Sequence, residues 1–142
     1  MAKRAVIVVG SHFAGKSKTI NKYVKRRLGV ARRTHRFHLQ KCSGFVLSQS
    51  REETALRQGF VLSQSLEERR RRTVKRTVRK YSSYDLLVMA ARPMQERPSL
   101  LQQLKAELRH AGYRVHVVNV VKGQPERFYS NRAGEILSHL IR

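Results

Sequence analysis

Acidic side chains are scarce in this 142-residue chain: nine, against 31 lysines and arginines, for a formal net charge of +22. Asp85 is the sole aspartate and the other eight acids are glutamates. Chemistry that needs a pair of aspartates is therefore excluded, and any single catalytic aspartate has to be Asp85. Cys42 stands alone, so there is neither a disulfide framework nor a zinc set, and the expected setting is a reducing cytoplasm. No apolar run approaches the roughly 18 residues of a membrane-spanning helix. The opening Met1-Ala2-Lys3-Arg4 before AVIVV has the basic start of a secretory leader. Its apolar stretch is short, however, and no small-residue cleavage site precedes Lys16, so a leader is not expected.

Hydrophobic residues make up 40% of the chain, enough for one core in one domain spanning residues 1–142. The run Ala5-Val6-Ile7-Val8-Val9 is β-branched and apolar throughout, the pattern of a strand buried on both faces. A helical pattern follows, with Ile20, Val24 and Leu28 on one stripe and Gly29 at the C-terminal cap. Further along, Asp85–Ala90 reads as a strand and Ser99–Ala111 as a helix. Arg114–Val121 reads as a valine-rich strand, then a turn at Gly123-Gln124-Pro125. A last helix is expected from about Asn131, placed as its N-cap. Alternating strands and helices predict a three-layer α/β fold: a mostly parallel sheet of five to six strands with helices on both faces.

GFVLSQS occurs at 44–50 and again, unchanged, at 59–65, and each copy continues x-Glu-Glu. A match of this length is a tandem duplication, 44–58 and 59–73. Each copy reads as a short strand (Phe45-Val46-Leu47; Phe60-Val61-Leu62) followed by Ser-Gln-Ser capping a helix that opens with glutamates. The expectation is that one copy fills the native slot while the other is an extra turn or hairpin at the edge. Excision of Gly44–Gln58 should then be tolerated.

Gly10-Ser11-His12-Phe13-Ala14-Gly15-Lys16-Ser17 fits G-x-x-x-x-G-K-[ST] at every fixed position. Two glycines let successive backbone N–H groups turn inward with no Cβ in the way of phosphates. Lys16, expected to face solvent without ligand, sets a flexible point charge on the β- and γ-phosphates. Ser17 offers a hydroxyl to Mg²⁺, and Lys18 continues the helix whose N-terminal dipole aims at the polyphosphate. His12 is placed to pack over a nucleotide or meet a substrate. The loop lies between a buried strand and an amphipathic helix, the context this motif requires.

With that context, AVIVVGSHFAGKS and its helix resemble the Walker A element of the P-loop NTPase superfamily. The resemblance covers about the first 30 residues and implies a bound nucleoside triphosphate with magnesium. It also implies an acid at the C-terminal end of a neighbouring strand. Asp85 begins its strand instead, at the wrong end, and reads as structural. The candidates at the right end are Glu67 or Glu68, as magnesium-water ligand or base, and Arg92, as a stabiliser of transferred charge. Lys122 and Gly123 follow the last strand, where many P-loop folds line the base, and Tyr129 is a further stacking candidate. The absence of an Asn-Lys-x-Asp guanine reader favours ATP over GTP.

An imbalance of +22 exceeds what a solvated helix face explains and points to a polyanion, with nucleic acid first. Arg69, Arg70, Arg71, Arg72, Lys75 and Arg76, on one basic helix from Glu67 to about Lys80, are the expected contacts. A second basic cluster surrounds Lys22–Arg36. No helix-turn-helix, zinc-finger or aromatic RNA-binding signature is present, so contact should follow the backbone rather than the bases. The leading expectation is an MgATP-binding protein, a slow ATPase or ATP-dependent switch acting on or near nucleic acid. The alternatives are a small P-loop kinase acting on a small molecule or nucleotide, and a non-catalytic nucleotide-binding module.

Overall fold

The computed structural model describes residues 3–11, 15–29, 36–41, 45–47, 56–61, 74–95 and 100–141. The chain is α/β, and its centre is a parallel sheet. Strand β1 (Lys3–Val9) lies between β5 (Leu86–Ala91) and β6 (Tyr113–Asn119), parallel to both. Beyond β5 come β4 (Leu56–Val61), still parallel, then β2 (Arg36–Lys41) and the edge strand β3 (Phe45–Leu47), both joined antiparallel. The order across the sheet is β3-β2-β4-β5-β1-β6.

The apolar runs of β1 and β5 are buried on both faces because helices cover both faces. On one side Val6, Val8, Val88 and Ala90 meet Ile20, Val24 and Leu28 of the first helical run and Ala133, Ile136 and Leu140 of α5 (Glu126–Ile141). On the other, Ala5, Ile7, Leu87 and Met89 meet α3 (Val74–Tyr81) and α4 (Leu101–His110). Alternate strand residues thus feed two separate cores. Fully burying one such valine, leucine or isoleucine stabilises by about 1.5–3 kcal/mol. None of the helices among the described residues is long and apolar enough to cross a membrane.

The first helical run departs from regular geometry. It comprises α1 (Lys16–Lys18), a π-helical segment (Thr19–Val24) and α2 (Lys25–Arg27). The i→i+5 bonding of a π-helix fits an extra residue into the turn and shifts the facing residues. Ile20, Val24 and Leu28 remain inside as their spacing predicts, and Lys25 joins them at 1% exposure. The basic cluster around Lys22–Arg36 is therefore not uniformly solvated.

The last helix starts at Glu126, and Asn131 lies exposed within it rather than capping it. Pro125 accounts for the earlier start: its fixed φ suits a helix entry, and its carbonyl accepts the Phe128 N–H at 2.9 Å. Strand β2 was not expected at all.

Of the duplicated segments, Phe45-Val46-Leu47 becomes β3 and Phe60-Val61 the end of β4, with β2 between them; Leu62 lies outside the described residues. The Ser-Gln-Ser elements that follow each copy lie outside the described residues.

Candidate functional site at the C-terminal edge of the sheet

Strand β1 ends at Val9, and Gly10 and Ser11 leave the sheet beside the end of β5, where the Gly10 N–H donates to the Ala91 carbonyl at 3.2 Å. His12, Phe13 and Ala14 lie outside the described residues. The chain resumes at Gly15, whose φ of +100° is left-handed and suits glycine. The Gly15 carbonyl accepts both the Thr19 N–H and the Thr19 hydroxyl, each at 2.8 Å, and Thr19 is fully buried. This fixes the first turn of the helix.

Lys16 is not solvent-facing as expected. It is 6% exposed, and its Nζ donates to the Gly10 carbonyl at 2.6 Å, closing the loop from its last turn back onto its first residue. An ammonium taken out of water has to be hydrogen-bonded, and the nearest loop carbonyl provides this. Ser17 and Lys18 follow in α1, and Lys18 is exposed.

The facing wall comes from the end of β6 and the start of α5. Lys122 and Gly123 lie exposed in the connecting loop, with Gly123 at φ +79°. Tyr129 is 4% exposed, so it presents no free face for stacking on a base. It is a brace instead. Its hydroxyl donates to the Val121 carbonyl at 2.8 Å, and its ring lies against Gly15. The Lys18 ammonium sits 5.0 Å from the centre of the same ring.

Glu126, in the first turn of α5, gathers three partners from the opposite helix. It pairs with Lys18, accepts a hydrogen bond from the Tyr23 hydroxyl, and meets Lys22 at 3.4 Å. The Lys18 hydrogen bond, then those of Tyr23 and Lys22, hold its carboxyl down to about 2. The same carboxylate raises the Lys18 ammonium and the Tyr23 hydroxyl above their ordinary values. Sequence reasoning missed this cluster; only the acid just after Pro125 hinted at it.

Arg92 leaves β5 at the same edge, half-buried, one residue beyond the Ala91–Gly10 bond. Asp85 lies at the other edge, where its carbonyl accepts the Arg4 N–H at 2.9 Å. The register from Arg4↔Leu86 to Val9↔Ala91 separates it from the loop by the full length of the strands. Glu67, Glu68 and Arg69–Arg72 lie outside the described residues. Lys75 and Arg76 are exposed on α3, on the opposite face from α5 and away from the loop. The edge thus brings together Gly10, Gly15, Lys16 and Arg92, with the Lys122–Gly123 loop beyond Tyr129. Among the described residues no group of three His, Cys, Asp or Glu side chains is arranged to hold a metal ion. Compared with family models, with curated proteins and with solved structures, the chain matches none of them.

Proposed function

We propose that the chain is a P-loop nucleotide-binding protein that takes MgATP at the Gly10–Ser17 loop, and that it is a slow ATPase or ATP-dependent switch working on or near nucleic acid. The observation that carries this reading is the Lys16–Gly10 hydrogen bond, 2.6 Å long, at the C-terminal end of the strand between β5 and β6. A buried ammonium folded onto its own loop is held ready for an anion stronger than a carbonyl. A polyphosphate that draws Lys16 away from Gly10 exchanges a neutral acceptor for a charged one. Crevices outside the carboxyl ends of parallel strands are where open α/β sheets take their ligands.

In this reading Gly10, Ser11 and Gly15 supply backbone without obstruction, Lys16 neutralises the phosphates, and Arg92 faces the charge that develops on transfer. Magnesium would be held by the Ser17 hydroxyl together with phosphate oxygens and water, since magnesium retains several waters and needs few protein ligands. The acid is assigned to Glu67 or Glu68. Strand β4 runs parallel to β5, Val61 opposite Val88, so it heads for the edge that carries the loop, and both glutamates follow it closely in sequence.

Calorimetric titration with MgATP tests the reading. The parent should bind, with GTP weaker, and Lys16→Ala should lose at least tenfold in affinity, about 1.4 kcal/mol. Equal affinity in the two proteins would end it. Glu67→Gln and Glu68→Gln separate binding from turnover: the variant that removes the acid should bind MgATP like the parent and not hydrolyse it.

A further inference from the structure

We infer that the outer face of α3 is a docking surface for the phosphate backbone of duplex nucleic acid, separate from the nucleotide site. This deepens the nucleic-acid part of the proposed function and rests on it.

Helix α3 is Val74-Lys75-Arg76-Thr77-Val78-Arg79-Lys80-Tyr81, without an acidic residue. Val74, Thr77, Val78 and Tyr81 are buried against the sheet, and every remaining position is an exposed cation. Lys75 with Arg79, and Arg76 with Lys80, form two i,i+4 rows, the members of each about 6 Å apart along the axis. The neighbouring helix α4, on the same side of the sheet, adds exposed Arg109 and half-exposed Lys105 against one half-exposed carboxylate, Glu107. The carboxylates that pair with Lys18, Lys22, Arg132 and His139 belong to α5, on the other side.

The chemistry of the face selects its partner. A helix of eight residues is about 12 Å long, a length over which a duplex carries about seven phosphate charges. Single-strand readers stack bases on exposed aromatic rings, whereas Tyr81 is 7% exposed and Tyr84 half-buried. A helix lying on a membrane needs an apolar face in the lipid, and the apolar face of α3 is already spent on the core. What is left is backbone recognition by point charges.

Position makes the two sites independent. The C-terminal end of α3 leads into the Ser82–Asp85 turn at the start of β5, where Lys3 Nζ donates to the Ser82 carbonyl at 2.5 Å. The Gly10–Ser17 loop is at the other end of the strands, and its helix packs on the opposite face. Duplex and MgATP should therefore bind together rather than compete.

The test is duplex DNA binding by fluorescence anisotropy between about 50 and 200 mM salt, on the full chain. Each lost phosphate contact lowers the log–log salt slope by about 0.9. The triple variant Lys75→Ser, Arg79→Ser, Lys80→Ser should lower it by nearly three, weakening the salt response over that range roughly 40-fold. Its MgATP affinity should equal the parent's. The charge-conserving set Lys75→Arg, Arg79→Lys, Lys80→Arg should keep the parent slope. Lys16→Ala should lose MgATP and keep duplex binding, and a parent that binds duplex but no MgATP would overturn the nucleotide reading while supporting this one. A parent slope in the serine triple variant overturns the inference, as does displacement of MgATP by saturating duplex. Binding to phosphatidylserine vesicles or an acidic polypeptide without binding to duplex overturns it in favour of those partners.

Discussion

A Cβ built on Gly15 would lie 2.6 Å from Cε1 of Tyr129, closer than van der Waals contact allows, so the start of the first helix and the first turns of α5 meet where only glycine fits. Tyr129 has no room to withdraw, since its ring is buried and its hydroxyl is tied to the Val121 carbonyl. Gly15 is thus fixed twice over, by the left-handed φ of +100° and by its neighbour.

Gly15→Ala should therefore destabilise the fold by at least about 1–2 kcal/mol from backbone strain alone, with the steric clash in addition. Tyr129→Phe keeps the ring and loses two hydrogen bonds, the one it donates to the Val121 carbonyl and a longer one, 3.4 Å, that it accepts from the Gln124 N–H, so about 1–2 kcal/mol is expected. Urea titration measures both. A Gly15→Ala variant as stable as the parent would show that the ring moves aside freely.

The glycine at position 15 was legible in the sequence, and the tyrosine as a brace was not. A motif of fixed spacing encodes backbone conformation locally, so Gly10, Gly15 and Lys16 could be placed without a fold. Tyr129 and Glu126 meet the loop helix across more than a hundred residues, and nothing in local spacing reports such a contact. The inward fold of Lys16 escapes the sequence for a related reason: a lysine reads as solvated, and its bond to the Gly10 carbonyl, six residues back, exists only once the chain is folded. Strand β2 was hidden by its charges. Phe37 and Leu39 alternate with His38 and Gln40, a period of two, but the flanking Arg36 and Lys41 made the segment resemble the basic run before it. The paired strands β1 and β5 were plain because burial on both faces leaves an unbroken apolar run.

The Glu126 cluster predicts an acid-sensitive clamp between the two helices. The carboxyl is held near 2 against an ordinary 4.5. A depressed carboxyl stabilises the fold above its ordinary value, and the contribution is lost as pH falls through the folded value. Glu126→Gln should therefore melt at a lower temperature than the parent above about pH 5, and the gap should close toward pH 2. The cluster is exposed, so added salt should narrow the gap at neutral pH as well. A gap that ignores both pH and salt would mean that the carboxylate contributes nothing through its charge.

At the alkaline end Tyr113 has the opposite sign. Burial, and then the charge of Asp85, push its hydroxyl up to about 12 from 10.0. The hydroxyl lies 3.2 Å from the Tyr81 carbonyl and 2.5 Å from that of Tyr84, so ionisation removes the hydrogen that ties β6 to the end of α3. A group whose folded value is raised stabilises fully below its unfolded value, and the effect is lost as pH rises through the folded one. Tyr113→Phe should be less stable than the parent at pH 8, and the difference should shrink between about pH 10 and 12. Spectrophotometric titration at the phenolate band should show a tyrosine ionising near pH 12 in the parent that is missing from the variant.

The duplication gives the last prediction, and the register turns it against the excision that the sequence alone favours. Strand β2 pairs with β3 through Lys41↔Phe45 and with β4 through Arg36↔Phe60 and Gln40↔Leu56. Removing Gly44–Gln58 deletes the first three residues of β4 and leaves Cys42 and Ser43 to join Lys41 to Gly59. Gly59 belongs opposite Phe37, four residues back along β2, and two residues cannot make that return. The remaining GFVL can instead pair as the first copy does, with Phe60 opposite Lys41, a slip of five residues. An odd slip turns every β2 side chain to the other face, and Phe37 would leave the core in which it is 1% exposed. The excised chain should therefore lose cooperative unfolding in a denaturant titration. A second deletion isolates the edge strand: replacing residues 42–54 by Asn-Gly closes a two-residue hairpin with Gln40 still opposite Leu56. That chain keeps all of β4 and gives up only three paired residues of β3. It should unfold cooperatively and bind MgATP like the parent, whereas equal stability of the two shortened chains would contradict the β2–β4 register.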